Sequence, residues 1–136
     1  MNQSELPEAT AWVSKAREDL TAARVLVAHA PELDSVICFH CQQCMEKYLK
    51  AALVALDLGV PRNHDLDVLL STLLPHHPSL ERIRETASYL NGFSVLPRYP
   101  TFQTSVGDAR ERSHRALIAT EEAVCVIAEL MDFETK

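Results

Sequence analysis

Hydrophobic residues recur along the chain at steps of three and four, which is the spacing of one face of an α-helix. The first stripe predicts a helix over about residues 8–29, which Pro31 ends. A second and broader apolar face predicts the most buried helix, over about residues 35–58. The first stripe consists of Trp12, Ala16, Leu20, Ala23, Val27 and Ala30.

Polar and helix-breaking residues delimit the next elements. Asp34 is the expected N-cap of the second helix, and Gly59 and Pro61 follow its end. Asp65 precedes a leucine-rich segment, which predicts a short third helix. The leucines of that segment are Leu66, Leu69, Leu70 and Leu73.

Two more helices are predicted after the proline-rich segment that follows the third. One begins at Ser79, and the last spans about residues 105–132. No segment has the sustained period-two alternation of a strand. The sequence therefore predicts an all-α fold, an antiparallel up-and-down helical bundle of four long helices plus one short helix, in a single domain over residues 1–136 with its core at about 9–131. The expected inner face of the last helix is Ala109, Leu117, Val124, Ile127 and Leu130.

Composition and charge exclude several functions. The 136 residues have the length of one domain, and 47% of them are hydrophobic. Only 3 are glycine, and neither a G-x-x-x-x-G-K-[ST] nor a G-x-G-x-x-G phosphate loop is present. A net charge of −6 makes general attraction to nucleic acid weak, so contact with a phosphate backbone needs a local basic patch.

The termini and the cysteines suggest a cytoplasmic protein. The polar, acidic start lacks the pattern of a signal peptide, and no apolar run is long enough for a membrane span. Cys38, Cys41 and Cys44 have a metal-like spacing, but they fall within one predicted helix, where three thiols do not converge. We expect reduced core cysteines, no metal site and no cofactor.

The second helix carries the polar residues that are the strongest candidates for a binding site. Its polar face contains two adjacent glutamines, a glutamate and two lysines, namely Gln42, Gln43, Glu46, Lys47 and Lys50. One interpretation is a solvated helix face with an ion pair between Glu46 and Lys50. The other is a polar cleft in which Lys47 or Lys50 meets a phosphate.

Three other segments have a structural and a functional interpretation each. His64 lies between two possible caps, Asn63 and Asp65, so this segment either caps the third helix or contributes to a site. Arg98 and Tyr99 lie in an extended link between two prolines, exposed or in contact with a ligand. On the last helix, Arg110 and His114 form either a basic edge or a charge-balanced surface stripe.

Three ordered segments together resemble the HEPN-domain family over about residues 9–131. The first is the alanine-rich helix with Ala16-x-x-Asp19-Leu20-x-x-Ala23-x-x-Leu26. The second is Phe39-x-x-Gln42-Gln43-x-x-Glu46-Lys47-x-x-Lys50-Ala51, followed by His64-Asp65-Leu66. The third is Arg98-Tyr99-Pro100 before the final helix.

The resemblance implies a bundle that forms a homodimer and works beside nucleotides or RNA, with no membrane. Stand-alone prokaryotic members are commonly encoded with a minimal nucleotidyltransferase, in toxin–antitoxin-like pairs. The resemblance then places nucleotide binding on Gln43, Lys47, Lys50, His64, Arg98 and Tyr99.

One departure from the family concerns catalysis. Ribonuclease members resemble one another in an R-x4–6-H motif near the start of the final helix, whereas only three residues separate Arg110 from His114. Arg24 and His29 have a formally suitable spacing, but five residues on a helix is about 140° around the axis, so they diverge.

We therefore expect a non-catalytic protein that binds a nucleotide or a nucleotidyltransferase, with no catalytic residues. Two alternatives remain. One is a metal-independent ribonuclease that uses Arg110, His114, or His64 with Arg98. The other is a purely structural homodimer.

Overall fold

The computed structural model describes residues 6–93 and 105–133 of the chain, and within them the structure is helical with no strand. The predicted all-α class is thus confirmed. Arg98 and Tyr99 lie outside the described residues. In chain order the elements are α1 (Leu6–His29), α2 (Asp34–Ala55), α3 (Leu66–Leu73), a 3-10 helix (Pro78–Ile83), α4 (Arg84–Asn91) and α5 (Val106–Met131).

The long helices α1 and α5 both pack against α2. A short link joins α1 to α2, and the two helices pair along their length, so they run antiparallel. By contrast, α5 runs parallel to α2. Near their starts, Arg112 pairs with Asp34, and further along Thr120 hydrogen-bonds to Cys41. This is the relation between the second and last helices of an up-and-down bundle, in which the short helices return the chain.

The core is built mainly on α2, as its broad apolar face predicts. Its apolar side chains from the second turn to the last are almost completely enclosed, apart from the half-buried Phe39. Buried alanines and Leu20 of α1, leucines of α3 and mostly small residues of α5 complete the core. The fully buried members on α2 include Ile37, Cys38, Cys41, Cys44, Met45, Tyr48, Leu49 and Leu53.

The ends of α2 differ from the sequence prediction. Asp34 is not the N-cap, because Leu33 occupies that position and Asp34 lies in the first turn, paired with Arg112. At the other end, the helix stops at Ala55. Asp57 adopts a left-handed backbone (φ 57°), and the N–H of Leu58 donates to the carbonyl of Leu53 at 3.0 Å. These bonds form a Schellman motif, so the helix ends before Gly59.

The fourth helix is also shorter than its pattern predicts. Pro78 begins a 3-10 helix of 6 residues, and only 8 α-helical residues follow. Proline cannot donate a backbone hydrogen bond, and 3-10 turns are common where helices start. The bundle therefore has three long and two short α-helices within the described ranges. On α5, Leu130 is exposed rather than inward, and Met131 and Ala128 are buried in its place.

The start of α3 is capped as predicted, and this cap fixes the segment that carries His64. The Asp65 carboxylate accepts hydrogen bonds from the backbone N–H groups of Asp67 and Val68, at 2.9 and 3.3 Å. Asn91 donates to the same carboxylate at 2.9 Å, which ties α4 to the start of α3. The backbone that follows His64 is therefore fixed both by the helix cap and by the contact with α4.

Candidate functional site

A buried carboxylate on α2, that of Glu46, binds three neighbouring side chains. Lys50 Nζ donates to its Oε2 at 3.0 Å, and His64 Nδ1 lies 3.0 Å from the same oxygen. Gln42 Nε2 donates to Oε1 at 3.3 Å. We call these four residues the Glu46 cluster.

The helical repeat explains how the cluster forms. Gln42, Glu46 and Lys50 are spaced four apart, so they form one row along α2. The side chains of Glu46 and Lys50 are only 4% and 7% exposed. Charges this deeply buried need both a counter-ion and hydrogen bonds. Glu46 and Lys50 are counter-ions to each other and share one hydrogen bond. From α1, the ring of Trp12 lies 5.4 Å from Lys50 Nζ, a cation–π contact that covers the pair.

His64 is the exposed member of the Glu46 cluster. Its side chain is 76% exposed, although its Nδ1 is bound to the buried carboxylate. A carboxylate only accepts, so Nδ1 carries the proton that is shared with Glu46, and Nε2 remains available on the outer edge of the ring. Gln42 also donates to the backbone carbonyl of His64 at 3.2 Å. The histidine is thus oriented at both its ring and its backbone.

A second carboxylate, that of Asp19 on α1, joins the two long helices. Lys47 Nζ donates to its Oδ2, and His40 Nδ1 lies 2.8 Å from its Oδ1. The Asp19 side chain is 11% exposed. Because both partners come from α2, this group acts as a polar clamp between α1 and α2.

The structure brings some of the sequence-predicted site residues together and separates others. Gln43 Nε2 donates to Gln42 Oε1 at 2.8 Å, which connects Gln43 to the Glu46 cluster and so to Lys50 and His64. Lys47 belongs to the clamp with Asp19. Lys50 neutralises Glu46 from a buried position, where it has little surface to offer a ligand. Nucleotide contact by any of these residues stays a prediction.

Sequence reasoning left Asp19, His40 and Trp12 out of the site. Trp12 lies on the expected apolar stripe, and its contact with Lys50 crosses from α1 to α2. Asp19 and Lys47 are 28 residues apart, so no local spacing relates them. The available signal was the position of Asp19 next to Leu20 on the apolar stripe of α1, where a carboxylate requires a partner.

The three clustered cysteines are core residues, as expected. Burial raises the pKa of Cys38 to about 12 and that of Cys41 to about 11, and it also raises the pKa of Cys44. Thiols held neutral in this way are poor nucleophiles and poor metal ligands. Cys125 is exposed on α5. Among residues 6–93 and 105–133, no group of three His, Cys, Asp or Glu side chains is arranged to hold a metal ion.

Three basic residues near the start of α5 lie on its outer side, whereas Arg112 turns inward and pairs with Asp34. Arg110, His114 and Arg115 line one shallow hollow, well separated in the chain from the Glu46 cluster. His114 Nδ1 is 2.8 Å from the carbonyl oxygen of Arg110, within the same helix. The other candidate arginine, Arg24 on α1, pairs with Glu121 of α5 at 2.8 Å.

Comparisons with known proteins agree with the class that the fold and cluster define, an all-α bundle whose central, mostly apolar second helix carries a buried polar cluster. A family model described as the HEPN domain matches residues 9–130. The chain belongs to the HEPN family. A search of curated proteins found no match.

Two solved structures share the fold. TT1696 from Thermus thermophilus is 23% identical, with a TM-score of 0.73 over 89% of this chain and 96% of that one. ST0689, an archaeal HEPN homologue, is 20% identical, with a TM-score of 0.68 over 90% of this chain and 97% of that one. In the part of the chain that the structure describes, no helix is long and apolar enough to cross a membrane.

Proposed function

We propose that this HEPN chain is a non-catalytic nucleotide-binding protein of the cytoplasm that works as a homodimer beside a nucleotidyltransferase-type partner. The observation that carries the nucleotide site is the exposed imidazole of His64, held by a buried carboxylate. Because the ring is fixed at Nδ1, its Nε2 points in one direction. Less side-chain entropy is then lost when a ligand binds.

The chemistry of this edge suits a phosphate. When Nε2 also carries a proton, the imidazolium donates a charge-assisted hydrogen bond to a phosphate oxygen. Gln43 adds an amide beside the same cluster. From the sequence, we assign Arg98 to a second phosphate contact and Tyr99 to stacking on a base.

The lysines have unequal roles in this proposal. Lys47 retains some exposure, with 24% of its side chain accessible, so it is the lysine we assign to the ligand. Lys50 acts indirectly by neutralising Glu46, which in turn holds His64. Binding requires no bond to be made or broken, and the two carboxylates serve to position neighbouring groups.

Thermal unfolding with ATP, GTP and AMP, each with and without Mg²⁺, tests the site. A nucleotide at 100 times its dissociation constant stabilises a protein by about 2.7 kcal/mol, which is several degrees for a domain of this size. We expect His64→Ala to remove most of that shift and His76→Ala, at another exposed histidine, to preserve it. A protein whose unfolding ignores every nucleotide contradicts the proposal.

The partner is tested separately. We expect a minimal nucleotidyltransferase encoded beside this chain to copurify with it after co-expression, as in a toxin–antitoxin-like pair. A neighbouring nucleotidyltransferase that elutes apart from it at micromolar concentrations contradicts the partner assignment and leaves nucleotide binding to stand on its own.

A ribonuclease is the second candidate, and it rests on the hollow that Arg110, His114 and Arg115 line. Histidine and arginine are the groups that a metal-independent ribonuclease uses for proton transfer and for stabilising the transition-state charge. Cleavage of single-stranded RNA in EDTA that His114→Ala abolishes supports this candidate. RNA that stays intact with the wild-type protein eliminates it.

A further inference from the structure

The outer side of α5 presents a large apolar side chain without a covering element among the described residues. Ile118 is 55% exposed near the middle of this helix. Ile118, the half-buried Ala119 and Glu122 line one shallow hollow on this side of the helix. A second hollow continues along the helix from Glu122 past Cys125 to Glu129, with Arg82 of the 3-10 helix at its edge. We call this continuous surface the Ile118 face.

Charges are distributed unevenly along the Ile118 face. Among the residues that α5 contributes, Arg110 and Arg115 lie before Ile118, and Glu122 and Glu129 lie after it. A helix macrodipole favours the opposite order, with cations near the C-terminus, and the last turn of α5 contains no basic residue. The exception before Ile118 is Glu111, which is 3.6 Å from Arg115. Stability of the isolated helix therefore does not explain this order of charges.

We propose that the Ile118 face is the interface between two copies of this chain, whose α5 helices pack antiparallel about a two-fold axis at Ile118. In that arrangement the residue four positions before Ile118 faces the residue four positions after it. His114 of one copy then faces Glu122 of the other, and Arg115 lies beside the same glutamate. A parallel pairing instead places like charges together, so charge complementarity selects the antiparallel dimer.

This interface deepens the homodimer of the proposed function and is independent of nucleotide binding. The two Ile118 side chains meet at the axis, where they exclude water from each other. The dimer also covers the hollow that Arg110 and His114 line. His64 belongs to the Glu46 cluster and does not line the Ile118 face. Nucleotide binding and dimerisation can therefore be measured independently.

Light scattering after size-exclusion chromatography, over a range of concentrations, tests the interface. We expect a wild-type dimer and a shift toward monomer in Ile118→Arg, with the dissociation constant raised more than about tenfold. The matched control is Val25→Arg, at a valine on α1 that is 52% exposed, which leaves the dimer unchanged. Circular dichroism confirms that both variants keep their helices.

Charge reversal provides a second test that does not depend on the isoleucine. Arg115→Glu alone and Glu122→Arg alone each place like charges across the axis, so each variant dissociates. A mixture of the two variants places opposite charges at both contacts, and we expect a heterodimer to form. A variant that dissociated because it had unfolded would not form this heterodimer.

The outcomes separate the interface from the homodimer. A wild-type chain that is monomeric at every concentration overturns both. A dimer that persists in Ile118→Arg, or a charge-reversed mixture that stays monomeric, overturns the Ile118 face and leaves the homodimer to another surface. A nucleotide shift that persists in monomeric variants supports the independence of the two sites.

Discussion

At the scale of single residues, Glu46 determines how the polar side of α2 is organised. Its two oxygens receive contacts from Lys50, His64 and Gln42, so one buried carboxylate fixes an amine, an imidazole and an amide. The i,i+4 spacing of Glu46 and Lys50 predicted their ion pair from sequence. The spacing does not reveal that the pair is buried, because burial depends on packing against other elements, among them Trp12 of α1.

Glu46→Gln tests how much this arrangement contributes to stability. The amide keeps the shape of the side chain but leaves the Lys50 ammonium buried without a counter-charge. Breaking a buried ion pair in this way costs about 3–5 kcal/mol. Urea unfolding measures the loss, and Glu18→Gln, in an exposed pair with Lys15, is the control, with an expected change below about 0.5 kcal/mol. Equal losses in the two variants contradict the structural role of Glu46.

The buried cysteines predict a loss of stability at alkaline pH. Their pKa values in the folded state lie above the ordinary value, at about 12 for Cys38 and about 11 for Cys41. The unfolded chain therefore releases protons first as the pH rises, and the free energy of unfolding falls above about pH 9. At pH 10 the loss is about 1.4 kcal/mol for each such thiol.

Urea titrations between pH 8 and pH 10.5 measure this slope. Cys41→Ala removes one of the thiols, so its stability declines less steeply with pH than that of the wild type, even if it starts lower. Parallel pH profiles for the two proteins contradict the assignment of the slope to a buried thiol.

At the scale of elements, apolar periodicity predicted the positions of the long helices closely, whereas their ends were harder. Periodicity reports which residues face the core, and α1, α2 and α5 each have a long stripe. Helix ends depend on single side-chain bonds and backbone angles. Asp34 and Asp65 are the same residue type before similar patterns, yet only Asp65 forms a cap, because Asp34 pairs with Arg112 of a distant helix.

The cap of α3 predicts a specific loss in Asp65→Ala. Without the carboxylate, two backbone N–H groups lose their acceptor, and the expected loss of stability is about 1 kcal/mol. Asp65→Asn retains a capping oxygen and should lose less, so the comparison separates capping from charge. If chemical unfolding ranks the asparagine variant below the alanine variant, the cap is not the origin of the effect.

At the scale of the whole molecule, the candidate site is an assembly of α1, α2 and the segment before α3. Local pattern identified the residues on α2 and their order with His64, and this order carried the HEPN resemblance. It did not identify the clamp between Asp19 and Lys47, because contacts over 28 residues arise from packing and not from periodicity. Of the residues assigned to the nucleotide, Gln43, Lys50 and His64 share one hydrogen-bonded network.

The most direct measurement of the central claim is the imidazole ¹H–¹⁵N spectrum of the protein labelled at its 6 histidines, recorded during titration with AMP and ATP. The His64→Ala variant assigns the His64 signals. The Glu46 cluster predicts a proton on Nδ1 of His64 without nucleotide, and a saturable shift of its Nε2 resonance with nucleotide, while the His76 signals stay in place. His64 signals that do not move, while the protein binds nucleotide elsewhere or not at all, contradict the account.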